Sequence, residues 1–289
     1  MNVGFYGLGI MGSRMAQHLL STDAQLTVYN RTISKAEPLK EQGALVANSP
    51  KELAASSEIL FTMLSTPDAV RDAALGEEGF LSSMKTDTLW IDCSTVNPSF
   101  SRKMQKEADN YGLRFMDAPV AGSTAPAESG ELLFLVGGKN SDIKEAQPFL
   151  EAMGKKTIHA GDVGKGTSLK MVFNLLLGEA MAAFSEGMNL GQSLGLSKDM
   201  LLEALVGAPV VAPFITEKKE KIEKNEYEPE FPLKWMHKDL HLATKSGYES
   251  GAILPAGNVI KELYAIAQRE GLSDKDFSAI YSIITDEKK

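Results

Sequence analysis

Val3-Gly4-Phe5-Tyr6-Gly7-Leu8-Gly9-Ile10-Met11-Gly12 is the stretch whose reading decides the fold. Its first four residues form a short apolar run suited to a buried strand, and a G-x-G-x-x-G spacing follows at once. Ser13 to Leu20 then reads as a helix with Met15, Ala16, Leu19 and Leu20 on one side. After a break at Ser21-Thr22-Asp23, a second apolar run, Leu26 to Tyr29, ends in Asn30-Arg31-Thr32. The glycine spacing alone is weak evidence. Set between a strand and a helix inside a βαβ unit, it reads as a dinucleotide fingerprint. Gly7 permits a tight turn, Gly9 lets the backbone approach a pyrophosphate, and Gly12 lets helix and strand pack closely. Leu8, Ile10 and Met11 complete the expected binding loop, and the helix N-terminus offers N–H groups to the anion.

The end of the second strand selects the cofactor. A carboxylate there would bond a ribose 2′-hydroxyl, but this chain has Asn30-Arg31. A guanidinium suits a 2′-phosphate through charge-assisted, forked bonds worth ~1.5–3 kcal/mol each. The prediction is NADP(H) over NAD(H), with Thr32 and Lys35 beside Arg31.

The 289 residues suffice for two domains. A net charge of −8 without a basic cluster argues against a nucleic-acid partner. The lone Cys93 excludes an internal disulfide, fits a reducing compartment and reads as a small buried side chain. No run of ~18 uncharged apolar residues exists, so no membrane span is expected. The strand that begins at Asn2 leaves no room for a charged leader, and the expected location is the cytoplasm.

From Ser34 onward, strand and helix patterns alternate. Ser34-Lys35-Ala36-Glu37 and Ser49-Pro50-Lys51-Glu52 read as capping boxes, with Gly43 ending the helix opened by the first. Strands are expected at Leu45-Val46, Ile59 to Leu64, Leu89 to Asp92, Arg114 to Ala118, Leu132 to Val136 and near Thr157-Ile158. Helices are expected after Ser65-Thr66-Pro67-Asp68, from Pro98 to Tyr111 and from Ser141 to Met153, with Pro119 to Glu131 as a loop. The alternation predicts an α/β class: an N-terminal Rossmann, doubly wound, mostly parallel sheet. The strand C-terminal ends, and thus Leu64-Ser65, Ser94-Thr95 and Pro119 to Ser123, then lie on the cofactor edge.

At Gly161-Asp162-Val163-Gly164-Lys165-Gly166 the pattern changes. Beyond it the chain reads as helical, so the expected domains are 1–163, binding cofactor, and 164–289, an all-α domain for substrate and oligomerisation, joined by a long helix. Thr167 to Leu194 forms that helix, ~40 Å long at 1.5 Å per residue. Its apolar residues surround the axis, which predicts burial and, through a covering neighbour, a homodimer or homotetramer. Gly166, Lys170, Asn174 and Gly178 recur every fourth residue and share one face. Small residues above and below would leave space beside Lys170 and Asn174. A desolvated lysine there is a good proton donor to a developing alkoxide. The residues alone equally allow a lysine reaching the surface beside an asparagine bonded to backbone. His237 and His241 are four apart, but no third metal ligand is evident and no metal is expected.

Four motifs in this order resemble the β-hydroxyacid dehydrogenase family along the whole chain. They are Gly7-Leu8-Gly9-Ile10-Met11-Gly12; Asp117-Ala118-Pro119-Val120-Ala121-Gly122-Ser123 with Ala127 and Gly130; Gly166-x-x-x-Lys170-x-x-x-Asn174; and Lys238-Asp239-Leu240. Asn30-Arg31-Thr32, Phe231-Pro232-Leu233 and Gly122-Ser123 resemble the NADPH-linked glyoxylate/succinic semialdehyde reductase branch. The resemblance implies reduction of short carboxylated aldehydes, with 3-hydroxyisobutyrate or tartronate semialdehyde chemistry as the alternative. It implies Lys170 as the general acid and Asn174 as its orienting partner. Ser123 and the N–H groups around Gly122 would hold the substrate carboxylate, and Thr95 would stand between nicotinamide and substrate. Lys238 would approach the cofactor, while Phe231 and Asp239 would close the pocket. Ala121 departs from the family, which usually carries serine there. One lost hydrogen bond is worth ~0.5–1.5 kcal/mol, so selectivity rather than activity is at stake.

Overall fold

Apolar runs of four or five residues, each bounded by a turn, give the first unit its strands. The structure is a computed structural model that describes residues 1–286, and it divides into two units, Met1–Lys170 and Met171–Lys289. In the first unit the order is β1 (Asn2–Tyr6), α1 (Ile10–Leu19), β2 (Gln25–Tyr29), α2 (Glu37–Glu41), β3 (Leu45–Val46), α3 (Pro50–Ser56), β4 (Ile59–Thr62) and α4 (Pro67–Leu75). Then come β5 (Leu89–Asp92), α5 (Pro98–Asn110), β6 (Arg114–Asp117), β7 (Val120–Ala121), α6 (Thr124–Glu128), β8 (Leu132–Gly137), α7 (Asn140–Met153) and β9 (Gly154–Gly161).

The sheet runs β3-β2-β1-β4-β5-β6-β8-β7, with β9 also paired to β8. It is parallel from β3 to β6, and β8 runs antiparallel to β6 and β7. β4 and β5 are buried at every position, as strands covered on both faces must be. Alternate residues feed two cores. Phe5, Phe61 and Ile91 pack with Met15 and Phe149, while Leu60, Trp90 and Phe115 pack with Phe80 and Met104. The register aligns Tyr6, Tyr29, Thr62, Asp92 and Asp117 along one edge, so the segments after these strands emerge together.

Three local expectations need correction. Ser34 caps nothing: it lies inside a 3₁₀ turn, Ile33–Ala36, and α2 starts only at Glu37, because Pro38 belongs in a first helical turn. Ser49 does cap, accepting from Glu52 N–H at 3.1 Å, although the Glu52 carboxylate takes the Asn48 N–H instead of closing a box. The stretch 119–131, expected as loop, contains β7 and α6. Val120 and Ala121 are too short a run to show strand periodicity, and β7 exists through its pairing with Phe134 and Leu133.

α8 (Lys165–Ser193) runs from the first unit into the second. There it is followed by α9 (Lys198–Leu205), α10 (Ile215–Lys224), α11 (Leu233–Ser250), α12 (Pro255–Ala267), a wide turn at Gln268–Leu272, a 3₁₀ turn at Phe277–Ala279, and α13 (Ile280–Ile284). Met181, Phe184 and Met188 of α8 share a core with Met236, Leu240, Tyr264, Phe277 and Tyr281. Within the single chain α8 buries one face only. Leu176 is 59% exposed and Leu190 62%, because the helix packs the opposite face into that core. Among the described residues no helix is long and apolar enough to cross a membrane.

Candidate functional site

Two of the three fingerprint glycines are fixed by the protein itself. Gly7 adopts φ +111°, and a Cβ there would overlap the Met63 carbonyl oxygen; a Cβ on Gly12 would overlap the carbonyl oxygen of Gly7. At Gly9 a Cβ would meet no atom within 4 Å. α1 begins at Ile10, without a side-chain cap or an acidic residue in its first turn, so the amides there carry unneutralised partial positive charge. Ile10 is exposed, Met11 is half-buried against the core, and Leu8 is buried in it. The Leu8 N–H donates to Asn30 Oδ1 at 3.0 Å, and Asn30 Nδ2 donates to the Thr32 carbonyl at 3.0 Å. Asn30 thus ties the fingerprint loop to the end of β2, a brace that its position in the sequence does not reveal. Arg31, Thr32 and Lys35 stand exposed beyond it.

A polar chain underlies the ends of β4 and β5. Trp90 Nε1 donates to Thr62 Oγ1 at 2.9 Å, and Thr62 in turn donates to Asp92 Oδ1 at 2.8 Å. The Ser94 N–H donates to the same oxygen at 3.1 Å, while Ser94 Oγ accepts the Leu64 N–H at 2.8 Å. Asp92 Oδ2 has no hydrogen-bond partner. Burial pushes the Asp92 carboxyl up to about 6, against the bonds from Ser94 and Thr62. Met63 and Leu64 are half-buried, Ser65 is exposed, and Thr95 is half-buried just beyond Ser94. Cys93 is fully buried, and that burial holds its thiol well above its ordinary value.

Asp117, at the end of β6, holds the start of α8. The Gly164 N–H donates to its Oδ1 at 2.7 Å and the Thr167 N–H to its Oδ2 at 2.6 Å. These are two of the orphan donors at a helix N-terminus. Gly166 has to be small, because a Cβ there would overlap the carbonyl oxygen of Leu135 on β8. No role for Asp117 was legible in the sequence. The available signal was a strand-end acid matched to a glycine-rich helix start 47 residues later. Gly122 turns the following segment at φ +127° and is exposed, and Ser123 is half-exposed at the start of α6.

Lys170 lies one turn before Asn174 on α8 and is half-buried, so the fully desolvated lysine expected from the sequence is not found. Asn174 is buried, and its Nδ2 donates to Asp239 Oδ2 at 2.5 Å. The Lys238 ammonium lies 2.9 Å from Asp239 Oδ1 and 6.0 Å from the centre of the Trp235 ring. The small residues do not leave open space. A Cβ on Gly178 would press on Leu240 at 3.0 Å, just as one on Gly166 would meet β8. Asp239, expected to close a pocket, is itself buried and committed to Asn174 and Lys238. Phe231 is half-buried, with its ring centre 5.7 Å from that of Phe277. Burial lowers the His237 imidazole, with His241 adding to the effect. Among the described residues no group of three His, Cys, Asp or Glu side chains is placed to hold a metal ion.

Residues 2–161 match the NAD binding domain of 6-phosphogluconate dehydrogenase, and residues 164–284 match the family described as NAD-binding of NADP-dependent 3-hydroxyisobutyrate dehydrogenase. Glyoxylate/succinic semialdehyde reductase 2, chloroplastic, of Arabidopsis thaliana is 39% identical over 280 residues, 97% of this chain and 78% of that protein. The chain belongs to the β-hydroxyacid dehydrogenase family. Another member, glyoxylate/succinic semialdehyde reductase 1 of the same plant, is 37% identical over 98% of both chains. The 3-hydroxyisobutyrate dehydrogenase of Mycobacterium tuberculosis, solved with L-serine, has the same fold at a TM-score of 0.88, with 29% identity and 98% of both chains covered. This β-hydroxyacid dehydrogenase is therefore an oxidoreductase that uses a nicotinamide cofactor and a small-molecule substrate.

Proposed function

We propose that the chain is an NADPH-dependent reductase of short carboxylated aldehydes, glyoxylate and succinic semialdehyde among them, yielding hydroxy acids. The observation that carries this reading is the 39% and 37% identity, over nearly the whole chain, to two reductases named for those substrates.

The residues present fit the cofactor. The open space at Gly9 and the uncapped amides of Ile10, Met11 and Gly12 suit a pyrophosphate. Arg31, with Thr32 and Lys35, takes the 2′-phosphate, and Met63, Leu64 and Ser65 border the remainder. When bound, the reduced nicotinamide supplies the hydride. Lys170 gives its proton to the substrate oxygen as charge develops there, and in the reverse direction accepts the proton of the alcohol. Asn174, held by Asp239, orients that oxygen. Ser123 and the amides about Gly122 hold the carboxylate, with Thr95, Phe231 and Lys238 completing the contacts. Residues 1–163 form the cofactor domain, which also lends Thr95, Gly122 and Ser123 to the substrate, and 164–289 form the domain for substrate and assembly. The exposed apolar residues Val172, Leu176 and Leu190 of α8 support a homodimer or homotetramer. The single buried thiol fits the cytoplasm.

A second reading, a 3-hydroxyisobutyrate or tartronate semialdehyde enzyme with the same apparatus, is supported by the match of residues 164–284 to the family described for NADP-dependent 3-hydroxyisobutyrate dehydrogenase. The test is kcat/KM for glyoxylate, succinic semialdehyde, methylmalonate semialdehyde and tartronate semialdehyde with both cofactors. Highest values for the first two with NADPH support the proposal, and a preference for either of the others overturns it. In the same assay Arg31→Ala should narrow the NADPH/NADH preference about tenfold, the scale of one charge-assisted bond. An unchanged ratio removes Arg31 from the phosphate site.

A further inference from the structure

Phe231 sits on a segment with no regular secondary structure, between α10 and α11, yet a distant carboxylate pins it. Asp276 is fully buried, and its Oδ2 accepts the Glu230 and Phe231 N–H groups, each at 3.2 Å. Its Oδ1 accepts the Ser278 N–H at 3.2 Å and the Ser278 hydroxyl at 2.7 Å. Lys218, on α10 and only 3% exposed, brings its ammonium to 3.4 Å from Asp276 Oδ2 and 2.7 Å from Glu230 Oε2. The same ammonium lies 5.3 Å from the centre of the Phe277 ring, against which Phe231 packs. The Phe277 N–H donates to the Phe231 carbonyl at 2.9 Å, and Pro232 bridges Asp276. Both faces of the Phe231 peptide are thus fixed by one short segment, 276–278, with a buried cation behind it.

A buried ion pair contributes little to stability compared with apolar residues of the same volume. A structural role alone therefore accounts poorly for a lysine and an aspartate placed where they meet the two amides flanking one aromatic side chain. We propose that Asp276, backed by Lys218 and Ser278, is a positioning residue for substrate selection: it sets the Phe231 ring against the aldehyde. This rests on the reading that Phe231 borders the substrate. Asp276 touches neither substrate nor cofactor and acts through the Phe231 backbone.

The experiment is a double-mutant cycle on the full-length protein with NADPH and succinic semialdehyde. Asp276→Asn should raise the aldehyde KM about tenfold, the scale of one charge-assisted bond, with kcat within about twofold. The Kd for NADPH should not change. Ser278→Ala, which loses only the hydroxyl donor and serves should the first variant fail to fold, should raise KM about threefold. In a Phe231→Ala background both increments should vanish, whereas a general loss of packing would persist. A folded Asp276→Asn or Ser278→Ala variant with unchanged KM overturns the proposal, as does an increment that survives in the Phe231→Ala background. If Phe231→Ala alone leaves KM unchanged, the placement of Phe231 beside the substrate fails, and the proposal with it. If Phe231→Ala raises KM and the other variants do not, the positioning role alone is lost.

Discussion

Asp117 in the first unit and Asp276 in the second are both fully buried carboxylates that hold a segment remote in sequence, yet they are balanced by different means. Asp117 accepts the Gly164 and Thr167 amides, so its charge is balanced by the partial charges at the start of α8. Asp276 also accepts amides, from Glu230, Phe231 and Ser278, but a buried ammonium stands beside it. A backbone donor is lost only to proline, whereas a lysine is lost to any neutral side chain. The first arrangement therefore ties the carboxylate to the helix geometry, while the second leaves a pair that can be neutralised as a unit.

The residue carried by α8 should outweigh both anchors in turnover. Lys170→Ala is expected to lower kcat by at least ~10²-fold, the usual scale of general-acid catalysis, while NADPH still binds. Lost NADPH affinity with kcat intact would show that α8 presents a cofactor ligand rather than an acid. Next in size, Asp117→Ala should cost ~4 kcal/mol in urea unfolding, since it strands two buried amides. The double replacement Asp276→Asn with Lys218→Met should cost half as much, ~2 kcal/mol, because the buried ammonium leaves with the carboxylate, Lys221 still faces Glu230 and the amide oxygen still accepts on one side. Equal losses would erase the contrast between the two anchors.

Asp92 adds a pH axis. It is a third buried acid, with only partial charges around Oδ1 and nothing on Oδ2. Burial raises its folded value from 3.8 to about 6, so its contribution to stability is fully present below pH ~4 and is lost as pH rises through 6. Asp92→Asn removes the ionising group. Its unfolding free energy relative to wild type should improve by up to ~2 kcal/mol on going from pH 4 to pH 8. A relative gain at pH 4 instead would mean that the charged form is stabilised in the fold.

The strands and most helices of the first unit were legible because each is a local pattern: an apolar run, a serine or threonine cap, a proline at the first turn. The fingerprint was legible for the same reason. Hidden were features whose partners lie tens of residues away. Asn30, expected as a cofactor contact, also holds the Leu8 amide. Asp239 looked like part of a pocket wall and holds Asn174 across 65 residues. Lys218, in a run of lysines and glutamates that reads as a solvated face, is buried against Asp276. The long helix was legible in part. Its apolar circumference suggested burial on all sides, but one face fills the core and Leu176 and Leu190 face outward.

Cys93 has a practical consequence. The only sulfhydryl in the chain is buried, and that burial favours its protonated form, so it should react slowly with maleimides at neutral pH. Any cysteine introduced on the surface would then be the sole reactive handle. Spin labels or fluorophores could be attached one or two at a time to the native background, with no wild-type residue first removed.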